Sequence, residues 1–254
     1  MQGPVSFPRS RRLDRGDGAG VWLTYYPPGV TQQHHDHEAG QLSMLLSGCF
    51  AELSGGREYR PMARHIGLMP AGEGHAVRFG REGALILSIN CEPAAHGGGE
   101  RRKWRRMGAA SCRHAALMRL LPDHAGELAG ALVDSFGEAE ALDPSPLSAA
   151  PVWLRRALAQ IAEAPDTPVA DLAREAGVHR AHFSRRFQRH TGLTPTEFRL
   201  LRKSAAAMRR TLDGEVSLAQ AALEAGFADQ AHWTRTCRVL AGIPPGRVRR
   251  LLSA

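Results

Sequence analysis

The chain has 254 residues, room for one large or two ordinary domains with a packed core. It is 43% hydrophobic yet has no apolar run of the roughly 18 residues that span a bilayer, and its start (Arg9, Arg11, Arg12, Asp14) lacks the apolar stretch of a signal peptide. A soluble, cytoplasmic protein with no membrane partner is therefore expected. The formal charge of +8 is placed unevenly: residues 1–150 hold 16 basic and 16 acidic residues, residues 151–254 hold 17 and 9. A neutral region joined to a basic one points to a polyanion-binding module, with nucleic acid the first candidate partner.

Residues 1–18, rich in Arg, Gly and Asp, read as a mobile tail. From Val21 to about Asn90 the apolar stretches are short (VWLTYY, QLSMLLSG, HIGLMP, HAVRF, ALILSIN) and separated by Pro-Pro-Gly, Ser-Gly-Gly and Ala-Gly-Glu-Gly, which predicts an all-β sandwich or barrel over residues 19–98. Inside it runs Gly29-x5-His35-x-His37-x3-Gln41-x6-Gly48, followed by Pro70-x-Gly72-x2-His75. His35 and His37, two apart on a strand, point to the same face, and a strand pair brings His75 opposite. Imidazole ligands suit zinc, nickel, copper or iron.

These two segments resemble the paired motifs of the cupin family. The resemblance implies a small barrel in which two histidines and an acid of the first motif, with a histidine of the second, hold a divalent metal. The corresponding residues here are His35, His37, Gln41 and His75, with Gln41 in the acid's place and Phe79 where the second motif has Asn. Three readings follow. One is a divalent metal on those four residues. Another is a metal-free polar pocket for a small-molecule effector, lined by Trp22, Tyr25, His35, His37, Gln41, Met44, Leu46 and His75. The third is a purely structural set of histidines.

After Gly97–Gly99 the periodicity becomes helical. Leu117, Leu120 and Leu121, then Leu128, Leu132 and Phe136, mark two amphipathic helices over 109–141, interrupted near Pro122, within a linker or dimerisation segment spanning 99–146. The basic run Arg101–Arg106 around Trp104 reads as a barrel edge or interdomain surface, and Asp143-Pro144-Ser145-Pro146 as a linker. Residues 147–254 are helical throughout, opening with Leu154, Leu158 and Ile161.

This last region contains a repeat. LAREAGVHRAHFSRRFQRHTGLTPTEFR (172–199) aligns with AALEAGFADQAHWTRTCRVLAGIPPGRVR (221–249) at an offset of 49 before one inserted residue and 50 after it. Each copy reads helix, glycine turn, helix. Thr167-Pro168 and Ser217-x-x-Gln220 mark the starts, Gly177 and Gly226 the turns, and Asp229 caps the helix after the second turn. Phe183 with Phe187, and Trp233 with Cys237, face inward beside Val178 and Phe227. The opposite faces carry Arg180, Ser184, Arg185 and Gln188 in one copy and Gln230, Thr234, Arg235 and Arg238 in the other. Short polar groups, amides and forked guanidiniums near a helix N-terminus are what reading the major groove needs.

The two units and the GIPPGRVRR tail resemble the DNA-binding domain of the AraC/XylS family, two helix-turn-helix units joined by a long helix, here about Glu197–Leu212. The resemblance implies an α+β two-domain protein, a cupin-like β-barrel followed by an all-α domain of two helix-turn-helix units. It carries base-facing roles to Ala181, Ser184 and Arg185, and to Gln230, Ala231, Thr234 and Arg235. His182 and His232 recur beside the turns, either against DNA or in a shared structural place. Arg186, Arg189, Arg202, Lys203, Arg209 and Arg210 are expected near phosphates or on a solvated face. Two departures stand out: His179 replaces a small capping residue, and Cys237 a phenylalanine.

The implied function is a sequence-specific, effector-responsive regulator of transcription on double-stranded DNA, with RNA polymerase and a second copy of the chain as further partners. Such a regulator requires no cofactor and is not an enzyme. The alternative is a metal-dependent cupin enzyme fused to a DNA-binding domain. Cys49, Cys91, Cys112 and Cys237 stand apart without C-x-x-C spacing or a Pro-Cys-His-Arg setting, which disfavours a disulfide framework, a zinc ribbon and alkyl-transfer repair.

Overall fold

The computed structural model describes residues 7–14, 20–91, 103–107, 125–141, 150–214 and 216–253. Among these residues run nine antiparallel strands, the last of them after the first helix: β1 (Arg9–Arg12), β2 (Val21–Tyr26), β3 (Thr31–His35), β4 (Gly40–Ser54), β5 (Arg57–Tyr59), β6 (His65–Met69), β7 (His75–Cys91), β8 (Lys103–Arg106) and β9 (Glu140–Ala141). β4 and β7 pair along most of their length, with register shifts between Leu45 and Ser47 and between Gly48 and Phe50. Gly48 and Gly83 both have positive φ there, and a Cβ on Gly48 would lie 2.0 Å from the Gly83 carbonyl oxygen. Only glycine lets the two strands bend together so closely.

The bend folds the sheet into two layers. β1, β2, β6, β8 and one half of the β4–β7 pair form the first; β3, β5 and the other half form the second. Leu45, Ala84 and Trp104 of the first layer pack between the layers against Phe50, Val77 and Phe79 of the second, and Tyr26 stacks on Phe79 at 4.2 Å. Part of the expected tail is thus a strand. β1 adds to β2 through a Ser10–Thr24 hydroxyl contact of 2.8 Å, and Asp14 accepts from the Val21 amide. Its arginines suggested a solvated tail because an edge strand carries charge for the same reason.

The outer face of the first layer is fully apolar: Val21, Leu23 and Tyr25 on β2, Leu42 and Met44 on β4, Ile66 and Leu68 on β6, and Leu85, Leu87 and Ile89 on β7. Helix α1 (Ala125–Glu138) lays Leu128, Leu132 and Phe136 on it, so the apolar row expected of this helix is committed to the sheet. Leu117, Leu120, Leu121, Pro122 and the Asp143–Pro146 linker lie outside the described residues.

The remaining helices are α2 (Val152–Glu163), α3 (Val169–Glu175), α4 (Arg180–Thr191), α5 (Pro195–Asp213), α6 (Leu218–Glu224), α7 (Gln230–Ala241) and α8 (Pro245–Ser253). α3–α4 and α6–α7 are the two repeated units, and α5 joins them. Gly177 and Gly226 make left-handed turns at φ 67° and 80°. The His179 side chain accepts from the Ala181 amide, Asp229 from that of His232 and Ser217 from that of Gln220. His179 therefore caps as the usual small residue would. At α3 the expectation fails: Pro168 itself is the N-cap without a side-chain cap, and Thr167 Oγ1 donates back to the Ala164 carbonyl. Thr194 and Glu197 form a full capping box at α5 that the sequence reading missed. Phe183, Phe187, Trp233 and Cys237 are all buried. Burial pushes the Cys237 thiol up to about 12, which makes it an inert filler of the second core.

The barrel grips both units. Met62 and Ala63, in the turn before β6, enter the core of the first unit beside Phe183 and Phe187. The turn is held by His65, buried at 3% exposure, whose Nδ1 accepts from the Met62 amide at 3.2 Å. Burial first, then the Arg106 and Arg64 guanidiniums, hold the His65 pKa down to about 3. The unfolded chain protonates this imidazole near the ordinary value of about 6.5 and the folded one does not, so stability present above that pH is lost as pH falls from there toward about 3. His65→Asn, which keeps an acceptor for the Met62 amide, is expected to remove up to about 1.4 kcal/mol per pH unit from the stability slope between about pH 6 and 4, read from urea unfolding at each pH.

Candidate functional site

α4 and α7 expose the two faces that the repeat singled out. Arg180, Ala181, His182, Arg185 and Gln188 are exposed on α4, with Ser184 half-buried among them; Gln230, Ala231, Arg235 and Arg238 are exposed on α7, with Thr234 half-buried. Each set stands opposite the buried pair of its own helix, because positions three and four apart share a face. Among the described residues, Arg180, Arg185, Arg235 and Arg238 are in no ion pair, so their guanidiniums are available to an external acceptor. His182 is exposed, whereas the ring of His232 sits edge-on to Phe227 at 5.3 Å, so the repeated histidines do not share one environment.

Five of the six basic residues expected near phosphates or on a solvated face have partners within the protein. Arg186 lies over the Trp153 ring, Arg202 donates to Cys49 Sγ at 3.5 Å, Arg209 to Glu82 at 2.8 Å, and Arg210 pairs with Glu224 at 2.5 Å. Lys203 holds Asp166 and the Gly226 carbonyl. Arg189 and Arg210 are the exposed ones of the six, Arg210 in its pair with Glu224. The cause is the placement of α5 between the units and the barrel, which turns its charged side chains toward protein partners. The repeat extends to structure here: Arg199 donates to the Pro165 carbonyl and Arg249 to that of Val216, each tying the end of its unit to the segment before the unit's first helix.

The second constellation lies in the barrel. His35 ends β3, His75 begins β7 opposite it, and His37 follows two residues on. The Nε2 atoms of His35 and His75 are 3.1 Å apart, and those of His37 and His75 3.3 Å. His75 Nδ1 lies 2.6 Å from Glu52 Oε1, and Trp104 Nε1 donates to Glu52 Oε2 at 2.5 Å. His75, Glu52 and Trp104 are all buried, the last two at 1% exposure. His35 Nδ1 lies 2.8 Å from the Gln33 carbonyl oxygen.

These partners fix the tautomers. A carboxylate and a carbonyl only accept, so His75 and His35 donate from Nδ1, and their Nε2 lone pairs face each other. Lone pairs at 3.1 Å repel unless a proton or cation lies between them. Two imidazole nitrogens on one zinc-like ion at about 2.0–2.1 Å, with angles between right and tetrahedral, stand about 2.9–3.4 Å apart, and the observed separations lie in that range. The donor set fits a divalent transition metal.

Gln41 begins β4 in the first layer, with its Oε1 accepting from Ser43 Oγ at 3.2 Å. Trp22 is half-buried in the row that faces the second layer, in register with Ser88 and through it with Ser43. Tyr25, Met44 and Leu46, expected in the same pocket, belong instead to the apolar cluster that α1 and the C-terminal helices cover, and the Tyr25 hydroxyl reaches Asp213 at 3.4 Å. Both faces of this layer are buried, so apolar character did not say which one looks inward. Glu52 and Trp104 were missed. The available signal was Phe50-x-Glu52-x-Ser54, which puts an acid in an inward row where it needs partners.

A family model described as a helix-turn-helix domain matches residues 172–251. No curated protein matches the chain. Among solved structures, the C-terminal domain of AraT, a response regulator from Geobacillus stearothermophilus, is 19% identical over 39% of this chain and 85% of its own, with a TM-score of 0.37. ToxT from Vibrio cholerae is 10% identical over 97% and 98%, at 0.43. A cupin superfamily protein from Desulfitobacterium hafniense is 16% identical over 36% and 84%, at 0.32. The family match covers both units, their joining helix and most of α8, the same span in which the geometry shows two exposed reading faces. Residues 172–251 of this chain form a helix-turn-helix domain, joined to a barrel of antiparallel strands.

Proposed function

We propose that the chain is a transcription regulator of the AraC/XylS type, that its barrel is the sensor, and that a divalent transition metal on His35, His37 and His75 forms part of the effector site. The observation that carries this reading is the convergence of three Nε2 atoms, with Nδ1 of His35 and of His75 turned to a carbonyl and a carboxylate. Such an ion, when bound, supplies open Lewis-acidic positions for an oxygen- or nitrogen-bearing effector. Glu52 orients His75 and raises its basicity, and Trp104 holds Glu52.

A route from this site to DNA is built in. Trp104 lies on β8, whose Arg106 guanidinium covers Gly192, the left-handed C-cap of α4, and pairs with Glu140 at 2.8 Å. A change at the histidines is thereby carried through Glu52 and one strand to the end of the first recognition helix. This position, behind a DNA-binding domain, favours sensing over catalysis. We further propose that the chain acts beside RNA polymerase, as a monomer or a homodimer.

Two measurements test the reading. Cobalt titrated into chelator-treated protein is expected to bind at one equivalent with visible d–d absorption. His75→Ala should abolish the signal and Glu52→Gln weaken affinity about 10- to 100-fold, whereas an unmodified protein that takes up no cobalt overturns the metal site. On DNA, Arg185→Ala and Arg235→Ala are each expected to cost about 1–3 kcal/mol and to relax preference at one base pair, with affinity falling steeply with salt. Uniform weakening on every sequence would instead place the arginine on phosphate.

A further inference from the structure

The two helix-turn-helix units have largely separate cores. Phe183, Phe187, Leu193, Phe198 and Leu201 belong to one cluster, and Ala207, Met208, Leu212, Trp233 and Cys237 to the other. Their mutual orientation is therefore left to α5, to the barrel on which both units pack, and to the few contacts that cross between them, such as Leu240 of the second unit in the first unit's cluster. Lys203, in mid-α5, makes another crossing. Its ammonium pairs with Asp166, three residues before α3, and donates at 3.0 Å to the carbonyl of Gly226, three residues before the N-cap of α7. Its side chain is 15% exposed. The same leading loop of the first unit is held to α5 by Arg199, which donates to the Pro165 carbonyl.

We infer that Lys203 is a positioning residue for DNA recognition: by latching the leading loop of one unit to the turn of the other, it fixes the separation between half-sites that the protein accepts. One base pair shifts a half-site by about 3.4 Å and turns it by about 35°, so a rigid pair of recognition helices tolerates one separation and a loosely joined pair several. An ammonium suits the position because it donates to two acceptors lying in different directions, whereas a guanidinium donates in one plane. Lys203 touches no base and sits away from both reading faces, so it sets where the faces stand and not what each one reads. This inference rests on the assignment of α4 and α7 as reading helices.

The experiment is selection of bound duplexes from a randomised pool by the full chain, as wild type, Lys203→Met, Lys203→Arg and Asp166→Asn. The separation between the two selected half-site motifs is scored, followed by titration on the best site and on the same site with one base pair inserted or removed. The wild type is expected to select one separation and to lose at least about fivefold in affinity on a one-base-pair change. Lys203→Met should select the same two motifs over a broadened range of separations and lose less than about twofold on that change, with Asp166→Asn intermediate and Lys203→Arg closer to wild type. Retention of a single separation by a folded Lys203→Met overturns the latch. Should Lys203→Met fail to fold, an unaltered separation in the surface variant Asp166→Asn overturns it. Failure of the wild type to select two motifs would instead remove the assignment of the reading helices.

Discussion

The organisation of the molecule depends on one buried surface, the outer face of the first barrel layer. Its rows of Val, Leu, Ile and Met are at most a few per cent exposed, and the same cluster continues without a break through α1 into Met208, Leu212, Phe227, Trp233, Val248 and Leu252. A fully buried side chain of this size contributes about 1.5–3 kcal/mol. The sheet therefore requires a cover, and the DNA-binding half supplies much of it. An apolar interface of this kind opposes free movement of one part against the other, unlike the polar contacts usual between domains. At its rim Arg209 pairs with Glu82, and Asp213 receives the Tyr25 hydroxyl and Arg9. Burial raises the Asp213 pKa while Tyr25 and the two arginines oppose it, and burial with the Asp213 charge raises that of Tyr25. Such half-exposed pairs add little energy; they select one docked orientation.

This arrangement alters the meaning of the charge excess. The basic residues of residues 151–254 divide into two groups that composition could not separate. Arg180, Arg185, Arg189, Arg235 and Arg238 on α4 and α7 look outward, whereas Arg202, Lys203, Arg209 and Arg210 on α5 hold cysteine, aspartate, carbonyl and glutamate partners within the protein. The surface that DNA can use is narrower than the net charge suggests, and it is concentrated on the two repeated faces. Specificity gains from this, since a smaller unspecific phosphate footprint leaves more of the discrimination to base contacts.

The C-terminal half was legible in the sequence because its signals are local. Gly177 and Gly226 must end a helix, Asp229 must begin one, and the buried pairs four residues apart define the opposite face without reference to the rest of the chain. The barrel was legible only as far as its strands. Which side of Leu42, Met44 and Leu46 faces inward depends on what covers the sheet, and the cover comes from far along the chain, on α1 and then on α5 and beyond. The bulges near Gly48 also shift the alternation within a single strand. His35, His37 and His75 could be found by spacing, but their carboxylate partner could not, since Glu52 reaches His75 through strand pairing and Trp104 comes from a separate strand, β8.

Glu52 ties the stability of the barrel to the chemistry of its histidines. A carboxyl group at 1% exposure loses its hydration, and hydrogen bonds from Trp104 and His75 offset that loss. On the far side of His75 the Nε2 atoms of the three histidines converge. The proposed ion would sit there, with the His75 imidazole between it and Glu52. The buried acid on β4 is thus the same feature as the histidine cluster seen from its other side, and a ligand that binds the folded barrel through it stabilises that fold by mass action. β8 carries both Trp104, the partner of Glu52, and Arg106, which lies against the C-cap of α4, so the proposed ion would order the cluster and that end of α4 together.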